Sequence, residues 1–336
     1  MTGQGWNPAS LLELTRNFWT LCAIQAGVAL DLFTALDEAG GRLPLGRLAE
    51  RTGADARAMG MLATALAGLG LLEREGEVLS LTGDSRRFLS ARSGDYYGHM
   101  LIHQSHIMPA WAQLATAVRT GRRVAPATAA ESGDPGRREA FLMAMHENAR
   151  RQAEAVAEAL DLSGRRTLLD LGGGPGTYAA SLCARHPDLS AVVFDLPGTA
   201  PVAGKVISGL GLGDRVSFVG GDFLSDPLPG PFGAVLISQV LHQEGPDGAA
   251  ALVAKAAGAL EPGGLLAVQE FFLEDDLSGP ASSALFSLNM LVNTRDGQSY
   301  SFAQVTGFME GAGLAGVRRV PASLPRGCAI LAGTRA

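Results

Sequence analysis

The chain of 336 residues is long enough for two domains that each bury a core, and 47% of its residues are hydrophobic while 18% are charged. Its formal net charge of −6 argues against nucleic-acid binding, because a phosphate backbone favours concentrated positive charge. The three cysteines, Cys22, Cys183 and Cys328, lie far apart, which excludes a disulfide framework and indicates a reducing cytoplasm. The N-terminus lacks a secretory signal pattern, and no apolar run reaches the roughly 18 residues of a membrane span, so we expect no membrane partner.

The N-terminal part begins with a long helical pattern. Apolar residues recur at steps of three and four over residues 10–39, which predicts one amphipathic helix. Its apolar face is compatible with dimerisation.

A winged-helix pattern follows. It consists of two helical segments at residues 45–51 and 56–69, then two short strand patterns at 71–74 and 77–81 around a glycine turn. A winged helix suggests DNA binding, but Arg57 is the only charged residue of the second helix, and such a helix is suited to burial against protein. We therefore interpret this part as a dimerisation and substrate-lid module and expect no nucleic-acid partner.

Two further helical stretches lie at residues 95–119 and 139–160. The first carries His99, His103 and His106 on one helical face, a spacing that would suit a metal site. No carboxylate or cysteine stands at a fitting distance along the chain, so we favour a polar face or pocket lining and expect no metal.

The second half alternates predicted strands with helical patterns. The predicted strands are residues 167–171, 191–194, 216–219, 234–237, 265–269, 316–320 and 329–332. This alternation predicts an α/β domain with a doubly wound, mostly parallel sheet that binds its ligand at the carboxyl ends of the strands. We place the domain boundary after residue 161, so that a helical domain spans 1–161 and the sheet domain spans 162–336.

The first of these strands runs directly into a glycine-rich turn and a helix. The turn reads Gly-Gly-Gly-Pro-Gly at residues 172–176, and an alanine-rich helical pattern follows at 177–185. Glycine permits positive φ and close approach of the backbone to a ligand, so a strand, glycine turn and helix in this order favour a nucleotide-like ligand.

Acidic residues stand at or just after three successive strands: Asp170, Asp195 and Asp222. The carboxylate of Asp195 has two oxygens that match the vicinal hydroxyls of a ribose. Asp222 and Phe223 together could bind an adenine through its amino group and its ring face. The set predicts a nucleoside cofactor. Residues 174–179 also match the dinucleotide pattern G-x-G-x-x-A, which leaves an NAD-type oxidoreductase open.

Five motifs occur in a fixed order along the chain. They are Asp-Leu-Gly-Gly-Gly-Pro-Gly at 170–176, Phe-Asp-Leu-Pro at 194–197, Gly-Asp-Phe at 221–223, Val-Leu-His at 240–242 and Leu-Glu-Pro-Gly-Gly at 260–264. With them the sequence resembles the S-adenosylmethionine-dependent O-methyltransferases of the plant caffeate and bacterial polyketide type, over nearly its whole length.

The resemblance implies a class I methyltransferase fold, a Rossmann-like and mostly parallel sheet of seven strands, behind an N-terminal winged-helix dimerisation domain. It implies a homodimer that uses S-adenosylmethionine, releases S-adenosylhomocysteine and needs no metal. The cofactor residues it implies are Asp170, Gly172, Gly174, Asp195, Leu196, Asp222, Phe223, Ser238 and Gln239. For a small-molecule acceptor it implies Met145, Asn148, Asn289, Met290 and Asn293, although methionines at helical spacing are equally typical of a core.

The same resemblance assigns the chemistry to His242 and Glu270. A histidine at a strand end can take the proton of a phenolic hydroxyl near neutral pH, and a carboxylate on its other ring nitrogen fixes the tautomer. The chain departs from the plant pattern at two places: His242-Gln243-Glu244 replaces His-Asp-Trp, and Ser299 stands where a second glutamate is usual.

These departures leave alternatives open. With the same fold and cofactor, the chain could methylate carbon or nitrogen, or use the bound sulfonium without transferring methyl. A non-enzymatic alternative is a winged-helix regulator that senses a nucleoside. The sequence names neither the acceptor nor the position that is methylated.

Overall fold

The computed structural model describes residues 5–126, 134–325 and 327–336. The chain forms two compact units, Met1–His106 and Ile107–Ala336. The functional domain boundary after residue 161 stays a prediction.

The N-terminal part combines helices with a small antiparallel sheet of order β1-β3-β2. Its elements are α1 (Pro8–Ala29), α2 (Leu32–Glu38), β1 (Arg42–Pro44), α3 (Leu45–Thr52), α4 (Ala56–Gly68), β2 (Leu72–Glu75), β3 (Val78–Leu81) and α5 (Gly83–Leu89), with α6 (Gly98–Trp111) after them. The two helices and the strand pair of the predicted winged helix are present, and β1 adds a third strand that the sequence pattern did not indicate.

The single helix predicted over residues 10–39 is wrong, because the helix breaks after Ala29. Asp31 has a left-handed backbone with φ 53°, and α2 begins at the next residue. Leu32 and Leu36 are then fully buried, whereas Phe18 of α1 is 54% exposed. The break lets α2 turn its apolar side into a core that a straight helix would miss.

No single helix in the described part of the chain is long and apolar enough to cross a membrane. The pair α1 and α2, bent by 47° at the break, reaches the required length and composition only when the two are taken together.

The second part is an α/β structure. Its elements are α7 (Leu114–Thr120), α8 (Pro135–Ala159), β4 (Thr167–Leu171), α9 (Thr177–Arg185), β5 (Ser190–Asp195), α10 (Ala200–Gly209), β6 (Val216–Gly220), β7 (Phe232–Ser238), α11 (Pro246–Gly258), β8 (Leu260–Phe271), α12 (Ala281–Asn293), α13 (Phe302–Gly311), β9 (Leu314–Val320) and β10 (Cys328–Arg335). Each of the seven predicted strand segments lies within one of the strands β4–β10.

These seven strands form one sheet of order β6-β5-β4-β7-β8-β10-β9. The strands β4 to β8 pair in parallel, and β10 runs antiparallel to both β8 and β9. Alternate residues of β4 enter different core clusters, with Leu169 and Leu171 in one and Leu168 in the other, so both faces of the sheet are covered.

The order of the strands decides where a site forms. The chain moves from β4 to β5 and β6 on one side and returns to β7 and β8 on the other, so the topological switch point lies between β4 and β7. Ligands of open α/β sheets bind outside the carboxyl ends of the strands at such a point. The glycine turn after β4 and the His242 turn after β7 both begin there.

Candidate active site

The glycine turn after β4 leaves an open backbone where it crosses the switch point. Gly172, Gly174 and Gly176 have φ of 69°, 54° and 79°, in the left-handed region that favours glycine. A Cβ added to Gly172 would stand 2.7 Å from Val240 Cγ2, whereas one added to Gly174 would meet no atom within 4 Å. The turn is therefore closed against the protein at Gly172 and open to a ligand at Gly174.

Asp170 supports this turn from within the protein. Its side chain is fully buried, and Oδ2 accepts a hydrogen bond from the Ala179 N–H at 3.1 Å. Burial raises the pKa of Asp170 to about 7, and the negative charge of Asp195 adds to the effect. Its Oδ1 has no hydrogen-bond partner within the described residues. A buried acceptor without a partner at the base of the turn suits a ligand donor or a bound water.

Asp195 joins the end of β5 to the glycine turn. Its Oδ2 accepts from the Gly174 N–H at 2.8 Å, and its Oδ1 accepts from the Leu196 N–H at 2.7 Å and the Thr199 hydroxyl at 3.0 Å. Burial raises the pKa of this carboxyl above its usual range. A carboxylate offers about four acceptor positions, so one remains on Oδ2 for a ribose hydroxyl. A second hydroxyl would replace one of the present donors.

Of the next predicted cofactor residues, Phe223 and Leu196 lie beside the proposed ligand site, whereas Asp222 bonds within its own turn. The ring of Phe223 lies against the glycine turn, with its Cε1 3.6 Å from where a Cβ of Gly172 would be, and Leu196 is 38% exposed beside Asp195. Asp222 instead closes its own turn, because its carboxylate accepts from the Leu224 N–H and from a serine hydroxyl at 2.9 and 3.0 Å.

Ser238 and Gln239, at the end of β7, belong to a polar network that the sequence did not reveal. The buried Ser238 hydroxyl bonds Gln269 Oε1 at 2.8 Å, and Gln269 Nε2 bonds Gln152 Oε1 of α8 at 3.1 Å. Gln239 has a left-handed backbone with φ 56°, rare for a residue other than glycine, and its N–H donates to the Gln269 carbonyl at 2.8 Å. The strand end is thus held in a fixed conformation.

The predicted pair His242 and Glu270 is brought together at the ends of β7 and β8. His242 Nδ1 lies 2.8 Å from one Glu270 carboxylate oxygen and 3.1 Å from the other. Both side chains are buried, with residue exposures of 8% and 2%. The carboxylate also accepts from the Phe271 N–H at 3.2 Å. A carboxylate on Nδ1 holds the proton there and leaves Nε2 as the acceptor nitrogen.

Two aromatic rings that the sequence analysis did not select enclose this histidine. Phe286 of α12 meets the His242 ring edge-on at a centroid distance of 4.8 Å, and Phe271 lies 6.2 Å away. The two phenylalanine rings are 4.1 Å apart. Phe271 directly follows Glu270 in the sequence, but nothing local to Phe286 pointed to the histidine.

Ser299, at the position of the family's second glutamate, serves α12 instead of the histidine. Its hydroxyl donates to the Ser283 carbonyl at 3.0 Å, and its N–H donates to the Ser287 hydroxyl at 3.1 Å. The described residues give Ser299 no hydrogen bond to His242. Glu270 is therefore the carboxylate that contacts the ring.

Other residues of the same segment hold the His242 turn. The Tyr300 hydroxyl donates to the Glu244 carbonyl, two residues after His242. Gly297 packs so closely that an added Cβ would overlap the His242 carbonyl oxygen. Although Ser299 replaces the glutamate, the neighbouring Tyr300 and Gly297 therefore still hold the backbone of the His242 turn.

The predicted acceptor residues lie on two helices. One face of α12 carries Phe286 to the His242 ring. Three predicted acceptor residues lie on the same face, three, four and seven residues after Phe286: Asn289, Met290 and Asn293. Met290 is buried and behaves as a core residue. Met145 and Asn148 are half-buried on α8.

Trp111, which the sequence analysis did not select, fixes the amide of Asn289. Its indole N–H donates to Asn289 Oδ1 at 2.8 Å, and Asn293 Nδ2 donates to the same oxygen at 3.0 Å. Because an indole nitrogen can only donate, the atom facing Trp111 must be the amide oxygen. Asn289 Nδ2 has no hydrogen-bond partner in the ranges that the structure describes.

The described ranges contain no group of three or more histidine, cysteine, aspartate or glutamate side chains that could hold a metal ion. His99, His103 and His106 therefore do not form such a group.

The fold and the site together define a class of protein. A glycine turn at the switch point, an acid at the end of the second strand and an antiparallel last strand beside the parallel ones are the features of a Rossmann-like S-adenosylmethionine-dependent methyltransferase. Residues 111–315 match the model of the O-methyltransferase domain, and residues 12–91 match that of the O-methyltransferase dimerisation domain. The chain belongs to this family of O-methyltransferases.

Relatives and solved structures agree with this assignment. The tetracenomycin polyketide synthesis 8-O-methyl transferase of Streptomyces glaucescens is 38% identical over 268 residues, 78% of each chain. The N,N-dimethyltransferase of Streptomyces rimosus is 32% identical over 269 residues, 78% of this chain and 77% of the relative. The crystal structure of human N-acetylserotonin methyltransferase with S-adenosylmethionine has a TM-score of 0.88 at 27% identity and covers all of both chains.

These comparisons confirm the predicted family, fold class and enzyme class, and S-adenosylmethionine as the cofactor. The dimerisation domain supports a homodimer, and the methyltransferase domain implies a small-molecule acceptor. They do not favour the alternative of a winged-helix regulator.

Proposed function

We propose that this protein methylates a hydroxyl group of a small aromatic or polyketide-like molecule, with His242 as the general base. The observation that carries the proposal is the buried contact of 2.8 Å between His242 Nδ1 and Glu270 at the carboxyl edge of the sheet, beside the glycine turn. The names of two relatives, a tetracenomycin polyketide transferase and a 3-hydroxy-5-methyl-1-naphthoate 3-O-methyltransferase, support the acceptor class.

The glycine turn and the strand ends are the proposed cofactor site. The open backbone at Gly174, the free acceptor position on Asp195 and the ring of Phe223 suit a nucleoside with its ribose and base. When bound, S-adenosylmethionine supplies an electrophilic methyl group on a sulfonium sulfur.

In the proposed mechanism, His242 moves one proton. Nε2 takes the proton of the acceptor hydroxyl, which leaves the full electron pair on the acceptor oxygen. Glu270 keeps the Nδ1 proton in place and stabilises the ring as it becomes positively charged. Phe271 and Phe286 limit the access of water to the ring, which strengthens this electrostatic pairing.

The orientation of Asn289 supports a more specific acceptor. Trp111 holds the amide oxygen, so the amide NH₂ is the group that remains for a ligand. An NH₂ donates only, so its partner must be an acceptor atom, and a carbonyl or carboxylate oxygen, which can only accept, matches it best. We therefore propose acceptors that carry such an oxygen near the methylated hydroxyl.

The test uses purified protein with S-adenosylmethionine and two sets of acceptors, hydroxynaphthoates and tetracenomycin-type polyketides. We expect one product that is heavier by one CH₂ and carries an O-methyl signal by NMR. His242→Ala should lower kcat by about 10²-fold or more, the usual contribution of a general base. Its affinity for S-adenosylhomocysteine by calorimetry should stay within about twofold of wild type. A His242→Ala enzyme with wild-type kcat would exclude His242 as the base.

N-methylation is the second candidate, because a relative of 32% identity is an N,N-dimethyltransferase. A base beside an amine would serve the same purpose, since a protonated amine has no free electron pair. An aminohydroxybenzoate acceptor distinguishes the two, because NMR separates an N-methyl from an O-methyl product.

A cytoplasmic location, which the cysteine usage indicates, stays a prediction.

A further inference from the structure

Helix α8 lies along α9, the helix that follows the glycine turn. Ala149 and Ala153 of α8 share one buried cluster with Ala179 and Leu182 of α9. Small side chains on α8 allow the two helix backbones to approach closely. The position of α9 therefore depends on its contact with α8.

A hydrogen bond extends this contact to the first residue of α9. His146 Nδ1 lies 2.8 Å from the hydroxyl oxygen of Thr177. Because His146 precedes Ala149 by three residues, it lies on the same face of α8. Thr177 is 3% exposed and directly follows Gly176, the last glycine of the turn, whose φ is 79°.

The environment of His146 keeps its ring uncharged at neutral pH. Burial, together with the positive charge of Arg150 one turn away, lowers the pKa of His146 to about 4. A neutral imidazole has one donor and one acceptor nitrogen, so Nδ1 can pair with a hydroxyl in either direction. The ring Nε2 has no hydrogen-bond partner among the residues that the structure describes.

We propose that His146 is a positioning residue that fixes the start of α9, and with it the glycine turn, in the arrangement that binds the cofactor. The argument rests on the proposed function of the glycine turn as the cofactor site. The ring need not touch the cofactor, because it acts through the Thr177 hydroxyl. Without this bond, the first turn of α9 can shift, and the contact of Gly174 with Asp195 shifts with it.

The experiment measures cofactor binding and kinetics in matched variants. His146→Ala and Thr177→Val remove the bond from opposite sides. His146→Asn and Thr177→Ser are the controls, since asparagine places a polar atom near the position of Nδ1 and serine keeps the hydroxyl. S-adenosylhomocysteine and S-adenosylmethionine are titrated by calorimetry, and thermal melting verifies that each variant is folded.

We expect His146→Ala and Thr177→Val each to weaken S-adenosylhomocysteine binding by about 3- to 10-fold, the effect of one hydrogen bond. The double variant should be no weaker than the worse single variant, because both remove the same bond. The controls should bind within about twofold of wild type. In kinetics, the KM for the cofactor should rise, whereas kcat at saturating cofactor should change by less than about twofold.

Three results would overturn the inference while leaving the proposed function in place: unchanged binding in both His146→Ala and Thr177→Val, additive losses in the double variant, or binding by His146→Asn that is as weak as that of His146→Ala. A folded wild-type protein that bound neither nucleoside would instead refute the glycine turn as the cofactor site, and this inference with it.

Discussion

The substitution Glu270→Gln tests the base assignment most directly, because it keeps the size of the side chain and removes its charge. Glu270 accepts hydrogen bonds from the His242 ring and from the Phe271 N–H within a site that is almost closed to water. A glutamine offers one acceptor oxygen and one NH₂ group in the same space. If the NH₂ turns towards Nδ1, the histidine must carry its proton on Nε2 and can no longer act as a base.

The magnitude follows from the hydrogen bond that stabilises the charged histidine. A hydrogen bond to a charged group contributes about 1.5–3 kcal/mol and a neutral one about 0.5–1.5 kcal/mol, so the charge is worth about 1–1.5 kcal/mol here. Each 1.36 kcal/mol changes a rate about tenfold. We expect kcat to fall about 5- to 13-fold, and further if the tautomer changes, with cofactor affinity within about twofold of wild type.

The assay compares steady-state kcat with calorimetric binding of S-adenosylhomocysteine. Glu244→Gln is the matched control, because Glu244 lies in the same turn and its side chain makes no hydrogen bond to His242 among the described residues. Raising the pH should restore part of the Glu270→Gln rate, since the acceptor then ionises without a base. A variant that binds the cofactor and retains wild-type kcat at neutral pH would refute the reasoning.

Three further predictions concern the turn, its buried acid and the N-terminal helix. Gly172→Ala should weaken cofactor binding in calorimetry or lower the melting temperature, because its positive φ and the contact with Val240 leave no room for a Cβ; wild-type values of both would contradict this. The pKa of Asp170 rises from 3.8 to about 7 on folding, so its contribution to the stability of the folded protein is complete below about pH 4 and is lost as the pH rises to about 7. Asp170→Asn should therefore make the melting temperature less dependent on pH across this range. An unchanged dependence on pH would exclude the pKa shift. Phe18→Glu with Trp19→Glu should convert the dimer to a monomer in light scattering, because both side chains are more than half exposed on α1, and a retained dimer would assign the interface elsewhere.

The sheet was predictable from the sequence because its signals are local. Most of the predicted strand segments are short apolar runs, although β9 contains Arg318 and Arg319. The glycine turn is a motif that needs left-handed backbone at fixed positions. The break at Asp31 was not predictable, because the apolar spacing continues through it. The burial of Leu32 and Leu36, a tertiary effect, decides where the helix ends.

In the candidate site, too, residues at strand ends were predictable from the sequence and contacts between helices were not. His242 and Glu270 both follow strands, and the edge of a parallel sheet brings strand ends together whatever their separation in sequence. Trp111 and Asn289 are 178 residues apart and lie on helices, whose facing side depends on packing that the sequence does not specify. The contact of His146 with Thr177 was missed for the same reason.

The position of β10 has a consequence for how the protein is made. This strand, residues 328–335, follows both β8 and β9 in sequence, yet it lies between them in the sheet. A nascent chain that has not released these residues from the ribosome presents the edge of β8 unpaired and leaves β9 with no strand to join. The sheet can close only after β10 has been synthesised, so we expect a chain that stops before residue 328 to expose an unpaired strand edge and to aggregate.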